Sequence, residues 1–288
     1  MFPPFLAMKS GLSGVVFLIF MSVLVLGQNS ASFAPAPGNA SLFLPPPTGN
    51  TTTQPANSEK SISILIAPVT LPRMAPDFAL QTYERRSQLQ AAHLAAYSAT
   101  TLIHAELPDS SQQGEYELRR HYAAPRTLEF KPLHFTGDGF VKNNVITRLL
   151  QSEVDHLQKD DSSATAITPA NYKFSFKGTV ELNDRLVHVY QTKPRKKRVG
   201  LFKGRIFLDA YTGALARTEG TVIKSPSFFV KKIEFVQDYA DYGLFTFPVH
   251  MHSDARTRVL GRVIVDIFHR DYQPVPNATQ TAQLRPSR

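Results

Sequence analysis

Residues 172–194 read YKFSFKGTVELNDRLVHVYQTKP, and this stretch decides the fold class. Aromatic and polar side chains alternate from Tyr172 to Lys177, a period of two that is typical of a β-strand with one buried face. Asn183-Asp184 is a tight-turn pair, and Leu186 to Thr192 is again rich in β-branched and aromatic residues. The stretch therefore predicts antiparallel strands joined by a short turn.

The same pattern of strands and turns continues to Tyr272 and also precedes residue 172. Turn residues such as Tyr211-Thr212-Gly213 and Asp241-Tyr242-Gly243 separate the segments. The further strands are predicted at 97–107, 115–123, 127–135, 201–209, 214–224, 228–238, 244–253 and 259–272. Short connections require antiparallel neighbours, and one antiparallel sheet of this size tends to curl.

Two helices are predicted in the first half of the chain. Pro76-Asp77 suits the start of a helix that runs to about His93. The second helix, Val141 to Leu157, carries an apolar stripe at Ile146, Leu149, Leu150, Val154 and Leu157. The predicted fold class is α+β, mainly β: a large curved antiparallel sheet, or open half-barrel, of about ten strands. Two or three helices are expected to cover it.

The first 27 residues predict export from the cytoplasm. Residues 1–9 carry one lysine and no acid, and residues 11–27 read GLSGVVFLIFMSVLVLG before polar residues follow. This is the pattern of a secretory signal peptide. A membrane-spanning helix needs about 20 apolar residues, so an uncleaved N-terminal anchor stays open as the alternative. Both readings place the rest of the chain in the periplasm or on the extracytoplasmic face of a membrane.

Composition divides the remainder of the chain. Residues 28–62 are rich in Pro, Thr and Asn and predict a disordered spacer. The folded domain is predicted at 63–273 and a flexible tail at 274–288. The chain has no cysteine, which excludes disulfides and thiolate metal sites. Its net charge of +9 favours anionic partners such as phospholipid headgroups.

Several segments resemble one known superfamily. They are VHVYQTKP at 187–194, GRIFLDAYTG at 204–213, RTEG at 217–220, and FTGDGF at 135–140, which leads into the second helix. These segments resemble the LolA/LolB-like outer-membrane lipoprotein-sorting proteins, over roughly Pro76 to Tyr272. The resemblance implies a non-enzymatic carrier whose apolar cavity, between sheet and helical lid, shelters the acyl chains of a lipid or a lipidated protein. It also implies a membrane or envelope acceptor protein as a further partner.

Large apolar side chains are the candidates for lining such a cavity. They come from the second helix and the later strands, and they are Leu149, Phe174, Phe176, Val187, Val189, Ile206, Leu208, Phe235 and Phe247. A filled core needs side chains of the same kind. An envelope structural or regulatory protein of the same fold, acting through a protein partner, therefore stays open as the alternative function.

The densest charge cluster of the sequence lies between two predicted strands. It consists of Lys193, Arg195, Lys196, Lys197 and Arg198. One interpretation is a solvated hairpin loop, and the other is a contact for anionic headgroups or an acidic partner. No aromatic residue is interleaved in the run, which argues against single-stranded nucleic acid, and no nucleic-acid partner is predicted.

No catalytic constellation can be recognised. The sequence lacks the Gly-x-Ser-x-Gly, His-Glu-x-x-His, P-loop and dinucleotide-binding patterns, so neither an enzyme nor a cofactor is predicted. His250 and His252 fall on one side of a strand, but a third ligand is missing nearby and no metal site is predicted. Glu153 and Asp155 of the second helix are expected to be solvated or paired with Arg148.

Overall fold

The computed structural model describes residues 72–158, 162–225 and 230–277. The predicted signal peptide or anchor, the spacer and the first part of the predicted domain lie outside these residues, as does most of the predicted tail. The described elements follow the order α1 (Pro76–His93), β1 (Leu94–Leu107), a 3₁₀ turn (Pro108–Ser110), β2 (Gln112–Ala123), β3 (Thr127–Gly137), α2 (Gly139–Val141), a π-helical turn (Lys142–Ile146), α3 (Thr147–Gln158), α4 (Ser162–Thr165), β4 (Tyr172–Leu182), β5 (Arg185–Pro194), β6 (Phe202–Asp209), β7 (Leu215–Val222), β8 (Val230–Tyr242), β9 (Phe245–Thr257) and β10 (Arg262–Pro276).

The strands of the described chain form one antiparallel sheet. Its ten strands have the order β3-β2-β1-β10-β9-β8-β7-β6-β5-β4. Strands β4 to β10 are a meander, and β1 joins the N-terminal hairpins to it by pairing with β10. Because β3 and β4 are edges and do not pair with each other, the sheet is open. The predicted fold class, a curved antiparallel sheet covered by helices, is confirmed.

Alternation along the strands divides the sheet into an inner face, on which the helices lie, and an outer face. Three apolar clusters occupy the inner face. The lid cluster includes Ile103, Leu118, Met251, Val265 and Ile267 of the sheet together with Val145 and Leu149. The α1 cluster includes Tyr83, Tyr190, Ile206, Leu208 and Tyr239. The aromatic cluster includes Tyr97, Tyr122, Phe245, Phe247 and Tyr272.

Helix α1 has the bounds that the sequence predicts, and it is fixed to the turn after β6. Gly213 has a φ of +64°, and a Cβ atom at this position would lie 2.8 Å from Cβ of Thr82. The close approach and the left-handed backbone both require glycine there. The backbone N–H of Met74 also donates to the carbonyl of Ala210 at 2.8 Å, so the start of α1 is held against one end of the sheet.

Residues 139–158, comprising α2, the π-helical turn and α3, are here called the lid helix. Its start is fastened to β2. The N–H of Asp138 donates to the carbonyl of Gln113 at 2.8 Å, and the N–H of Gln113 donates to the Asp138 carboxylate at 3.1 Å. Gly137 has a φ of +102°, and a Cβ there would lie 2.5 Å from the Gln113 carbonyl oxygen. The lid helix therefore leaves the sheet from a fixed point.

The C-terminal end of the last strand differs from the prediction. β10 continues to Pro276, and Pro276 and Val275 are paired with Leu94 and Ala96 of β1. Residues 274–276 therefore belong to the sheet. The sequence misplaces this boundary because two prolines in three residues are typical of loops, whereas here they lie at the end of a strand.

Candidate binding site beneath the lid helix

The lid helix covers the inner face with a continuous apolar stripe. Val141, Val145, Ile146 and Leu149 are at most 1% exposed and pack in the lid cluster against the strands. Burial of each such side chain contributes about 1.5–3 kcal/mol. The side chains of the helix and the sheet thus form a closed apolar contact.

A buried ion pair lies beneath the same helix. The guanidinium of Arg120, on β2, donates from Nη2 to Oε1 of Glu153, on α3. The two side chains are only 3% and 7% exposed. The Arg120 guanidinium lies 5.9 Å from the ring centroid of Tyr97 and 5.7 Å from that of Phe130. Among the described residues, Nε of Arg120 and Oε2 of Glu153 have no hydrogen-bond partner, so the pair is incompletely satisfied.

The expectation that Glu153 is solvated or paired with Arg148 is wrong. Glu153 lies three residues after Leu150 and four after Leu149, which places its carboxylate on the buried side of the helix. Asp155 lies on the outer side, where it accepts a hydrogen bond from Gln151 at 2.8 Å.

Burial sets the protonation of the groups around this pair. Desolvation raises the pKa of Glu153, and the charge of Arg120 opposes that shift. Desolvation lowers the pKa of Arg120, but the Glu153 carboxylate together with Tyr97 and Tyr272 outweighs it and holds this pKa above its usual value. Burial, and then the charge of Arg120, lower the pKa of His269 well below its usual value. Nδ1 of His269 lies 2.9 Å from Oγ1 of Thr101.

We expect His269 to make the protein less stable in mild acid. Its pKa is lower in the folded state, so the unfolded chain binds a proton first as the pH falls. The stability that neutral His269 contributes is complete above its unfolded pKa of about 6.5 and is lost as the pH falls toward the folded pKa. The loss approaches about 1.4 kcal/mol per pH unit. Urea unfolding between about pH 8 and about pH 5 measures this slope.

The matched variant is His269→Asn, which cannot titrate. This variant should be less stable at neutral pH, and its free energy of unfolding should fall less steeply with decreasing pH than that of the unaltered chain. Titration of Glu153 contributes equally to the pH dependence of both proteins. An equal slope in the two proteins would show that another group causes the acid loss.

The structure brings some of the predicted lining residues together. Ile206 and Leu208 are fully buried in the α1 cluster, with Phe174 and Phe235 packed against it. Leu149 lies in the lid cluster and Phe247 in the aromatic cluster. These six side chains share the inner face.

Of the other three predicted lining residues, two lie on the outer face, and Phe176, opposite Tyr190, lies at the exposed edge of the inner face. Val187 and Val189 form a patch on the outer face with Phe207 and Ala216. The pairing of Val189 with Phe207 and of Tyr190 with Ile206 fixes this division. Phe176 is 43% exposed on the edge strand β4, with its ring 5.7 Å from that of Tyr190.

A small polar cleft lies between α1 and the sheet. Its volume of about 30 Å³ has room for one or two water molecules. It is lined by Tyr83, Arg86, Ser87, Gln90, Leu215, Tyr239 and Thr246. Arg86 pairs with Asp241 at 3.0 Å, and the Gln90 side chain exchanges two hydrogen bonds with the backbone of Thr246, at 2.8 and 3.0 Å. These bonds fasten α1 to β9, and the cleft is too small for an acyl chain.

The basic cluster lies at the β5–β6 hairpin, and all five of its side chains are exposed. Arg195 also has a structural role. Its Nε donates to the carbonyls of Pro169 and Tyr172 at 2.6 and 3.2 Å, which closes the segment before β4. Lys193, Lys196 and Lys197 point to solvent and have no carboxylate in ion-pair distance among the described residues.

The His250-x-His252 pair lies on the outer face of β9. Nε2 of His250 and Nδ1 of His252 lie 3.2 and 2.9 Å from the same oxygen of Asp266. In the described part of the chain, no group of three or more His, Asp or Glu side chains has an arrangement that could hold a metal ion. Among the same residues, no helix is both long and apolar enough to cross a membrane.

The known proteins that this chain matches are solved structures. No protein-family model matches the chain, and no curated protein matches it. A LolA superfamily protein from Nitrosomonas europaea is 7% identical, with a TM-score of 0.34, and the match covers 72% of this chain and 96% of that one. A putative outer-membrane lipoprotein-sorting protein domain from Vibrio parahaemolyticus is 12% identical, with a TM-score of 0.38 and coverage of 72% and 97%. A DUF1329 family protein from Desulfovibrio piger is 10% identical, with a TM-score of 0.38 and coverage of 69% and 92%.

A solved structure of the LolA superfamily, which segments of the sequence resemble, is thus among these matches.

Proposed function

We propose that the protein is a non-enzymatic binding protein of the extracytoplasmic space that takes up acyl chains, of a lipid or a lipidated protein, beneath the lid helix. The extracytoplasmic location rests on the export pattern of residues 1–27. The ligand would be held by apolar contact alone, and no residue is assigned a catalytic role.

The lid helix is the observation that carries this proposal. It is a single amphipathic element over an apolar sheet face, and it buries a charged carboxylate in that contact. Apolar side chains in place of a buried ion pair often give an equal or more stable contact. One partner of this ion pair lies on the helix and the other on the sheet, and each has a polar atom without a hydrogen-bond partner among the described residues. Water would reach these atoms if the helix separated from the sheet, which supports a lid that opens.

A second candidate function is supported by the packing of the inner face. Ile206, Leu208 and Leu149 are completely buried and Phe247 is 1% exposed, so these side chains already fill space in this state. A protein of this fold with a permanently filled core would act through a protein partner in the cell envelope. The lid would then be a fixed part of the core.

Native mass spectrometry of the full chain recovered from an exporting host distinguishes the two. Acyl lipid at close to one per chain, or saturable uptake of a fluorescent fatty acid after lipid removal, is the expected result. A bare chain that takes up no fatty acid would overturn the carrier proposal and leave the partner-binding function.

A matched pair of valine truncations assigns any uptake to the inner face. Val145→Ala weakens the lid contact, whereas Val189→Ala removes the same atoms from the outer patch. If the closed lid limits access, Val145→Ala should tighten apparent fatty-acid binding by up to about tenfold, because it raises the open fraction. Val189→Ala should leave binding unchanged, and equal effects of the two variants would contradict a site under the lid.

A further inference from the structure

Three hairpins that are separated in the sequence meet at one end of the sheet. In an antiparallel meander every second connection lies at the same end, so the β5–β6, β7–β8 and β9–β10 hairpins are neighbours. Their described residues, 193–203, 222–225, 230–232 and 256–262, contain no acidic residue and twelve basic ones, all exposed. We call these twelve the basic edge: Lys193, Arg195, Lys196, Lys197, Arg198, Lys203, Lys224, Lys231, Lys232, Arg256, Arg258 and Arg262.

The opposite end of the same strands has the other sign. The β4–β5, β6–β7 and β8–β9 connections, residues 182–185, 209–215 and 241–245, contain three carboxylates and one arginine. They are Asp184, Asp209, Asp241 and Arg185, and Arg185 pairs with Asp209 at 3.1 Å. The sheet is therefore electrically polarised along its strands, and such polarity orients a protein toward an anionic surface.

The basic edge is a row rather than a pocket. Adjacent strands are about 4.8 Å apart, so the six strands from β5 to β10 span roughly 24 Å. Two of its cations pair with a carboxylate on the same or an adjacent strand, Lys232 with Glu234 at 2.9 Å and Arg262 with Asp254 at 2.8 Å. A linear array of exposed cations fits an extended surface of phosphates better than one small anion.

An apolar side chain projects from this row. Val259 is 50% exposed at the tip of the β9–β10 hairpin, between Arg258 and Arg262. Three hydrogen bonds of Thr257 order the tip. Its N–H and its hydroxyl donate to the Gly261 carbonyl at 2.7 and 3.0 Å, and its Oγ1 accepts from the N–H of Leu260 at 2.9 Å. Cations beside a projecting apolar side chain match the boundary between headgroups and acyl chains. Nucleic acid would instead favour exposed aromatic rings for stacking, and the described residues of the three hairpins present none.

We propose that the basic edge docks the protein on an anionic phospholipid bilayer, with this end of the sheet toward the lipid. Sequence alone identified one of the three hairpins as a candidate headgroup contact, and the topology adds the other two. This docking is separate from acyl-chain binding and holds equally for a carrier and for a partner-binding protein.

The test is partition of the full chain between buffer and vesicles of phosphatidylcholine, with and without phosphatidylglycerol. Lys196→Gln/Lys197→Gln/Lys224→Gln removes three exposed cations from two hairpins of the edge. Arg119→Gln/Lys131→Gln/Lys177→Gln removes three exposed cations from β2, β3 and β4, away from the edge. Each cation near an anionic bilayer contributes about fivefold in affinity, so the edge variant should bind anionic vesicles about 100-fold more weakly.

The control variant should lose far less, and salt at about 1 M should abolish binding of the unaltered chain, because the Debye length falls to about 3 Å. Equal losses of vesicle affinity in the two variants would show that net charge alone determines binding, and this result would overturn the proposal. Binding to nucleic acid that depends on the edge, without vesicle binding, would also overturn it and replace the membrane as partner. Fatty-acid uptake in solution should be unchanged in the edge variant, so failure of docking is distinguishable from failure of the carrier function.

Discussion

Glu153→Gln is expected to destabilise the folded protein by about 3–5 kcal/mol, because it leaves the buried charge of Arg120 without its partner. Arg120 is 2% exposed and held between Tyr97 and Phe130, so water cannot replace the lost carboxylate. Arg120→Met should cost a similar amount, since the Glu153 carboxylate would then be buried alone. Urea or guanidinium unfolding of the two variants measures both losses.

The double variant separates the value of the pair from the cost of breaking it. Arg120→Met/Glu153→Met replaces both charges with apolar side chains, and it should be close to the unaltered protein in stability or above it. The matched surface control is Asp254→Asn, which breaks the exposed pair with Arg262 and should cost no more than about 1 kcal/mol. A double variant as unstable as the sum of the single ones would mean that the pair itself stabilises the lid contact.

The antiparallel meander is the part of the fold that local sequence patterns predict best. Strands from β4 to β10 alternate with period two and end at turn residues such as Asn183-Asp184, so a meander of antiparallel strands can be predicted from local patterns alone. The bounds of α1 follow from Pro76 and from the change to β-branched residues after His93. These features depend on neighbours within a few positions.

The buried ion pair between Arg120 and Glu153 has a signal in the sequence, namely the position of each residue in the strand or helix period. Gly114, Tyr116, Leu118, Arg120 and Tyr122 alternate along β2, and the alternation assigns Arg120 to the inner face. The helical period does the same for Glu153. Charge alone suggested a solvated position, since charged side chains are rarely fully buried without a partner. Two opposite charges at inward positions of different elements are the pattern that would have predicted the pair.

The candidate lining residues show what local pattern cannot supply. Val187 and Ile206 are both large, apolar and in strands, but the register between β5 and β6 places them on opposite faces. Register depends on hairpin lengths and on which face the helices cover, and a slip of one residue exchanges the faces. The basic edge likewise exists only once the strand order is known, because its three hairpins are some 30 residues apart in sequence.

Linking the lid helix to the sheet is expected to abolish fatty-acid uptake, if acyl chains enter beneath the helix as proposed. The chain has no cysteine, so Arg120→Cys/Glu153→Cys introduces the only thiols, at two positions whose native side chains meet. A short linker that reacts with both thiols would hold α3 on β2, and uptake should fall at least about tenfold relative to the same variant before linking, because the open state is no longer populated.

A second tether provides the control, because it closes the molecule where the lid helix is already fixed. A Cβ at Gly114 would lie 3.4 Å from Cγ1 of Val141, a spacing that favours a disulfide in Gly114→Cys/Val141→Cys. The bonds between Gln113 and Asp138 already hold this end of the lid helix on β2, so the disulfide should leave uptake nearly unchanged.

Full uptake after complete linking at residues 120 and 153 would show that the lid does not open there, and the filled-core protein that acts through a partner would then be the better account. Loss of uptake with the first tether and not with the second would place the moving part of the lid in α3, on the side of the π-helical turn away from the fixed point.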